Sequence, residues 1–402
     1  MNDKQDLTTG TISKKLIAYA LPLLAANLLQ SFYSLMDMLV VGRIVGETGL
    51  AAISNASMLS FIINSVCIGI TMGGTVLAAQ YKGAKDEHGQ IEIIGTLFTV
   101  AFIAAVLVTA AGLAAYRPLF RLLHVPAPAM EDACGYMKII CYGTIFVFGY
   151  NAVCSIMKGL GDSKSPLYFV AVATVINLVL DLLLVGPFGM GTEGAACATI
   201  FSQGISFVIS VFHLKRKDSV FDFRLSHFSI KTDKLAAILK VGLPTAVQMA
   251  SVNLSYLLIT GMLNQFGVSV AAASGVGLKI NTFAGMPCWA IGQAVTAMAG
   301  QNMGAGNIKR VQKTTSTGLC LNLLITLIMV LLVQIFGKQL ILLFTPASPE
   351  VLEEGILYLR ICCSVNSLVY AVMYTFDSFA IGTGSANIAM VNALLDAVIV
   401  RL

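Results

Sequence analysis

Long apolar runs alternate with short polar breaks along almost the whole chain, and the breaks carry most of the charge. Runs long enough to cross a bilayer, about 20 residues or more, lie at about 16–41, 50–79, 91–115, 136–157, 166–188, 194–214, 236–262, 269–299, 316–344 and 355–381. An eleventh begins near 386 and is still running at Leu402. The two-residue alternation of a membrane barrel strand is missing, so the pattern predicts an all-α polytopic bundle. Composition agrees: 57% of the residues are hydrophobic and 11% charged, where a soluble domain carries about 25% charged residues. Such a chain has too little charge to cover a water-facing surface. The first run is too long to be the core of a cleaved signal peptide and reads as a span that stays.

The basic residues orient the bundle. With the N-terminus inside, the inner segments hold Lys4, Lys14, Lys15, Lys82, Lys85, Lys158, Lys164, Lys215, Arg216, Lys217, Arg224, Lys231, Lys234, Lys240, Lys309, Arg310 and Lys313, which is 17 of the 25 lysines and arginines. The outer side holds Arg43, Arg117, Arg121 and Lys338, with Lys138 and Arg360 near its edge. This asymmetry predicts a cytoplasmic N-terminus in a multi-pass protein of the inner, cytoplasmic membrane. No basic run is interleaved with aromatic residues, so nucleic acid is not an expected partner. The nine cysteines lie in or beside apolar runs, without zinc or disulfide spacing, and read as small packing residues.

The basic loop at 215–235 separates two stretches that echo each other. Pro22 and Pro244, both after a leucine, stand 222 positions apart. In the same order, Ala51–Ser54 answers Ala271–Ser274, Gln80-Tyr-Lys-Gly83-Ala84 answers Gln301-Asn-Met-Gly304-Ala305, and His124-Val-Pro126 answers Phe344-Thr-Pro346. Gly159-Leu-Gly161 then answers Gly382-Thr-Gly384, and Asn177-Leu-Val-Leu-Asp181 answers Asn392-Ala-Leu-Leu-Asp396. Six spans per repeat make the repeats parallel, a plan that recurs in secondary transporters. The expected organisation is a six-helix lobe at 1–214, a cytoplasmic linker at 215–235 and a second lobe at 236–402. The last helix of this 12-helix plan is missing from the sequence, which stops within helix eleven.

From about Ser13 to Leu402 the chain resembles the multidrug and toxic compound extrusion (MATE) family of cation-coupled efflux transporters. The resemblance rests on the two halves, the proline early in spans one and seven, the Gln-x-x-Gly-Ala segments after spans two and eight, and the Gly-x-Gly turns after spans four and ten. It implies export of amphipathic, often cationic compounds in exchange for H+ or Na+, without a cofactor. A monomer is expected.

Ionisable residues within spans are expensive and are functional candidates by default. Four acids qualify: Asp37, Asp181, Asp377 and Asp396. At about 1.5 Å per residue, Asp181 lies roughly 22 Å above the inner end of span five, level with the late Asp37 of span one and the early Thr199 of span six. Asn177 precedes Asp181 by one helical turn and shares its face. Two carboxylates with amide and hydroxyl oxygens make a pocket able to hold sodium or share a proton. In one branch of the MATE family the ion site uses positions that match Asp37, Asn151, Asn177, Asp181 and Thr199, so the resemblance adds Asn151. The second repeat has no acid near Ile259, the counterpart of Asp37. Asp377 is expected near the inner end of its span. Asp396, with Arg401 five residues on, is expected to be structural or auxiliary.

A substrate chamber is expected between the halves, with Gln30, Tyr33, Asn64, Gln248, Asn253, Tyr256 and Asn281 as candidate lining and Met36 and Met286 adapting to mixed shapes. Two other classes were weighed. Gly159-Leu-Gly161-Asp162 has the look of an intramembrane aspartyl protease, but Asp162 falls in a short inner turn without a facing acid and is expected to be solvated. Zinc-protease, serine-hydrolase and nucleotide-loop motifs do not occur, so an enzyme is not expected. The alternative function is a lipid-linked oligosaccharide flippase of a related fold, which needs cavity cations where only Lys279 is available.

Overall fold

The computed structural model describes residues 5–217, 221, 223–224, 227–344 and 349–397. These form twelve helices: α1 (Ile12–Ile44), α2 (Glu47–Ala84), α3 (Glu87–Leu122), α4 (Ala127–Gly159), α5 (Lys164–Val185), α6 (Gly191–Lys217), α7 (Thr232–Asn264), α8 (Val268–Gly304), α9 (Ile308–Leu342), α10 (Pro349–Cys362), α11 (Val365–Gly382) and α12 (Ala386–Leu395). Eight are long and apolar enough to cross a membrane, and α10 with α11 makes a ninth span bent by 43°. The 33 residues of α1 run about 50 Å, so this helix reaches beyond the hydrocarbon core at its ends.

Local chemistry sets the turns after α2, α4 and α8, and it repeats. After α2 the chain turns through Lys85 at φ 58°, and Asp86 then caps α3 by accepting the Gly89 N–H at 2.9 Å. After α8 it turns through Gly306 at φ 69°, and Asn307 caps α9 by accepting the Arg310 N–H at 3.2 Å. A left-handed residue followed by a side-chain N-cap ends one helix and starts the next within a few residues. Asp162 does the same for α5. It is buried, its Oδ1 accepts the Lys164 and Ser165 N–H groups, and its Oδ2 accepts the Ser165 hydroxyl at 2.6 Å. The solvated turn expected there is therefore a buried cap, because α5 needs an acceptor at its N-terminus.

The span expected at 355–381 is broken at Cys363 and Ser364. Gln334 of α9 explains how the break is tolerated inside the bundle. Its Nε2 donates to the carbonyls of Leu359 (3.0 Å) and Cys363 (2.7 Å), and the Ser367 hydroxyl donates to the Cys362 carbonyl. Carbonyls released by the bend thus find donors without water. The eleventh span opens at Ala386, as the apolar pattern predicts. Arg401 lies outside the described residues.

The segment between α6 and α7 is docked. Phe221, Phe223 and Phe228 surround Phe98 of α3 at ring-centroid distances of 6.0, 5.7 and 6.1 Å. Thr96 bonds to the Ser229 carbonyl and the Lys231 N–H.

Two helices are shared between the halves. Near its start, α1 packs Leu16, Tyr19, Ala20 and Leu23 against Ala290–Met298 of α8, whereas near its end Val40 and Val41 join Ala52, Ile53 and Tyr136. Pro22 lies inside α1 within the first of these zones. α7 mirrors this arrangement. Its early residues Ile238, Gly242 and Ala246 press on Gly73 and Gly69 of α2, a small-residue pair four apart that lets the backbones touch. Lys234 donates to the Tyr81 hydroxyl at 2.7 Å and pairs with Glu92 at 3.5 Å. Further along, α7 packs with α12 in the second half.

Gln334→Ala leaves the Cys363 carbonyl at the α10–α11 break without its donor, while the Leu359 carbonyl keeps the Cys363 N–H. The expected cost is about 1–3 kcal/mol for the orphaned group, read as a lower unfolding midpoint in mixed micelles.

Candidate functional site

Three helices of the first half each present two polar residues one turn apart: Tyr33 and Asp37 on α1, Asn177 and Asp181 on α5, Thr199 and Gln203 on α6. α1 packs on α5 and α5 on α6, which brings the three pairs together. Tyr136 of α4 closes the cluster. Asp37 is 7% exposed, Asn177 1% and Asp181 0%. The carboxyls of Asp37 and Asp181 face each other within hydrogen-bonding reach, and the hydroxyls of Tyr33 and Tyr136 turn toward Thr199.

Proximity does not satisfy these groups. Tyr33 Oη, Asp37 Oδ1, Asn177 Nδ2, both Asp181 oxygens, Thr199 Oγ1 and Gln203 Oε1 are all buried without an aligned hydrogen-bond partner. Buried polar atoms are otherwise almost always paired. Seven unpaired polar atoms lie in one place, three of them carboxyl oxygens beside hydroxyl and amide groups. Asn151 stands apart: its amide donates one turn back to the Val147 carbonyl at 2.8 Å. Tyr136 and Gln203 are absent from the expected set. The signal for Gln203 was its one-turn spacing from Thr199; Tyr136 carried no comparable signal.

The acids of the second half are differently served. Asp377 is buried, one and a half turns from the inner end of α11 at Gly382. Its Oδ2 accepts from Gln248 Nε2 at 3.1 Å and its Oδ1 from Asn392 Nδ2 at 2.9 Å. Asp396 is close enough to act on it electrostatically. Gln248, expected in the chamber, is thus bound to an acid. Asn281 accepts from Cys363 Sγ, and Asn253 donates to Met249 of its own helix. Tyr33 belongs to the acid cluster, and Tyr256 acts on Tyr358. Met36 is half-buried and Met286 buried.

Gln30 and Asn64 are exposed, as are Ser34, Ser54 and Thr260. Exposed mid-span amides such as Gln30 and Asn64 suit water better than lipid, whereas the Ser34, Ser54 and Thr260 hydroxyls bond to their own helices. These residues lie on α1, α2 and α7, away from the close crossings at Gly69, Gly73 and Gly83. The halves therefore touch near one end of these helices, with the exposed polar residues toward the other. Lys279 of α8 is also exposed. Among the described residues no group of three or more His, Cys, Asp or Glu side chains is arranged to hold a metal ion.

A family model described as MatE matches residues 22–183 and 244–402. The chain belongs to the MATE family. This makes it a membrane transporter rather than an enzyme. A Bacillus subtilis protein named probable multidrug resistance protein YpnP is 33% identical over 359 residues, covering 88% of this chain and 79% of the relative. A Shewanella oneidensis protein named FAD transporter is 25% identical over 93% of this chain and 83% of its own length. A solved structure described as an outward-facing multidrug resistance MATE family transporter of the MOP superfamily matches with a TM-score of 0.93 at 22% identity, over 99% of this chain and 89% of that one. At that identity the likeness establishes the fold.

Binding of a cation in the orphaned pocket stabilises the folded protein, by about 2.7 kcal/mol at a hundred times the dissociation constant. Replacing choline with sodium is expected to raise the melting temperature of the purified protein. The shift disappears in Asp37→Asn and Asp181→Asn and persists in Asp377→Asn. No shift with sodium, together with proton release on titration, assigns the pocket to H+.

Proposed function

We propose that this MATE transporter exports amphipathic, cationic small molecules across the cytoplasmic membrane in exchange for H+ or Na+, with coupling at Asp37, Asn177, Asp181 and Thr199. The observation that carries the reading is the cluster of buried, unpartnered oxygens around two facing carboxyls. Tyr33, Tyr136 and Gln203 complete the pocket, and Asn151 is spent on the Val147 carbonyl of its own helix. Asp377 and Asp396 are auxiliary acids, and the charge of Asp377 is met by the amides of Gln248 and Asn392.

The excess of basic residues such as Lys82, Lys158, Lys309 and Arg310 at one end of the helices supports a cytoplasmic N-terminus. On that orientation the substrate cleft between the halves opens outward. The two lobes are 1–214 and 236–402, joined by the 215–235 segment on the cytoplasmic face. A cation entering from outside neutralises the acid pair, α1 repacks at Pro22, where a backbone hydrogen bond is already lost, and the substrate leaves. One elementary charge moving inward gains about 2.3 kcal/mol per 100 mV, enough to bias two states that differ by a few kcal/mol.

Substrate charge follows from the acids. Asp37, Asp181 and Asp377 are all buried near the cleft's helices, so the interior favours cations over a phosphate-bearing solute such as FAD or a lipid-linked oligosaccharide. The name multidrug resistance protein on the YpnP relative supports the same substrate class.

Uptake of a fluorescent cation into inverted vesicles is the test. It is expected to depend on an imposed H+ or Na+ gradient and to fall at least about tenfold in Asp37→Asn or Asp181→Asn, a loss of about 1.4 kcal/mol or more of coupling. Unchanged transport in both variants overturns the site. Movement of FAD or a pyrophosphate-linked lipid in place of the dye overturns the substrate class.

A further inference from the structure

The inner ends of α2 and α8 cross with their backbones touching. A Cβ at Gly83 would overlap the Gln301 carbonyl, and a Cβ at Gly304 would overlap the Gln80 carbonyl. These are corresponding residues of the two repeats, so the contact is reciprocal. The side chains are exchanged as well. Gln80 Nε2 donates to the Gly382 carbonyl at 3.3 Å, and Gln301 Nε2 donates to the Gly159 carbonyl at 3.0 Å. Each glutamine ties down the glycine turn of the other half.

The N-terminal segment runs over this crossing. The Leu7 N–H donates to Gln301 Oε1 at 3.0 Å, and the Leu7 carbonyl accepts from Asn302 Nδ2 at 3.2 Å. The Leu7 side chain is 2% exposed and Gln301 is 0% exposed. Arg310 donates to the carbonyls of Thr9 and Gly10 at 2.7 and 2.8 Å. On the side of the first half, the turn at Gly161 meets the Gln5 carbonyl so closely that only glycine fits. Asp6 shapes the segment by accepting the Thr8 N–H and hydroxyl at 2.8 and 2.5 Å, and Lys15 donates to its backbone carbonyl at 2.7 Å. Burial pushes the Asp6 carboxyl up, but the Thr8 bonds and the nearby Lys15 outweigh it and hold Asp6 below its ordinary value.

We propose that Gln5–Gly10 is a strap that, with Gln80 and Gln301, forms the inner gate of the transporter. Gln301 is the hub, because one buried amide holds the strap by its oxygen and the first half by its nitrogen. Separating the inner ends breaks the Gln301–Gly159 and Gln80–Gly382 bonds and pulls Gln5 from Gly161, so the gate opens only as the strap lets go. This builds on the reading of the protein as an alternating-access transporter, but its test requires no transport.

Hydrogen exchange on the purified chain in lipid nanodiscs, without substrate, reads the strap and both glycine turns separately. Slow exchange is expected at residues 5–10, 157–162 and 380–385. In Gln301→Leu all three rise together, by about tenfold or more, because they open as one unit. Arg310→Ala spares the buried hub and keeps the test informative if Gln301→Leu fails to fold. It frees the strap and raises exchange at 157–162 and 380–385 in the same direction. Deletion of residues 2–10 produces the same rise. Strap exchange that rises in Arg310→Ala while both turns keep their wild-type rates overturns the proposal, because the strap would then lie on the gate without holding it. Failure of dye transport with coupled exchange intact overturns the export reading and leaves the gate standing.

Discussion

α1 has to satisfy two packing surfaces at once. Leu16, Tyr19 and Leu23 are buried against α8 of the second half, while Asp37, Val40 and Val41 are buried within the first. A straight rod cannot follow two bodies that move apart at one end. Any rearrangement of the halves must therefore bend α1, slide it, or detach one of its ends. Pro22 lacks the N–H that would close the helix at that position, which makes bending there the least costly choice. The acid pair and the inner crossing are thus mechanically joined by one helix, and α7 with Pro244 supplies the matching constraint from the other side.

Electrostatics separates the halves where packing makes them alike. Asn177 and Asp181 have repeat counterparts in Asn392 and Asp396, yet the surroundings differ. In the second half the acid at Asp377 receives one amide N–H on each oxygen, so its lone pairs are met by the protein whatever ion is present. In the first half two carboxyls and two hydroxyls converge with little to donate to them. A buried acceptor left unmet costs about 1–3 kcal/mol, and several together are tolerable only if something mobile meets them. The same repeat yields a self-sufficient cluster on one side and a dependent one on the other. The dependent cluster is the one suited to respond to an external ion.

Much of this was legible in the chain. Apolar run length fixed the spans because lipid leaves the backbone no alternative to the helix, and helix geometry put Asp37, Asp181 and Thr199 at one depth before any coordinates. What stayed hidden depended on pairs of residues far apart in sequence. Nothing local marks Gln334 as the donor that permits the break at Cys363, nor Gln248 as the partner of Asp377, 129 positions away. Asp162 was misread because a buried helix cap and a solvated turn share the same short polar sequence. Tyr136 sits at the start of an apolar run, where a tyrosine ordinarily marks the membrane interface; the packing of α4 against α2 and α6 turns its hydroxyl inward.

The Gln-x-x-Gly-Ala segments carried the repeat in the sequence, and their structural role explains why both copies are present. A crossing of two helices at van der Waals contact needs glycine on each, and a reciprocal crossing needs it at equivalent positions. Gly83 and Gly304 meet that condition, with Gln80 and Gln301 bonding across it in exchange. The strap breaks the symmetry, since only Gln301 has a segment to hold. The acids break it too: the unmet oxygens of Asp37 and Asp181 contrast with Asp377, each of whose oxygens receives an amide N–H. Both asymmetric features involve α1 and the chain just before it: Asp37 lies toward one end and Gln5–Gly10 precedes the other. A symmetric fold opens and closes equally well from either half; placing the buried acid pair and the strap at opposite ends of one helix gives that motion a single point of control.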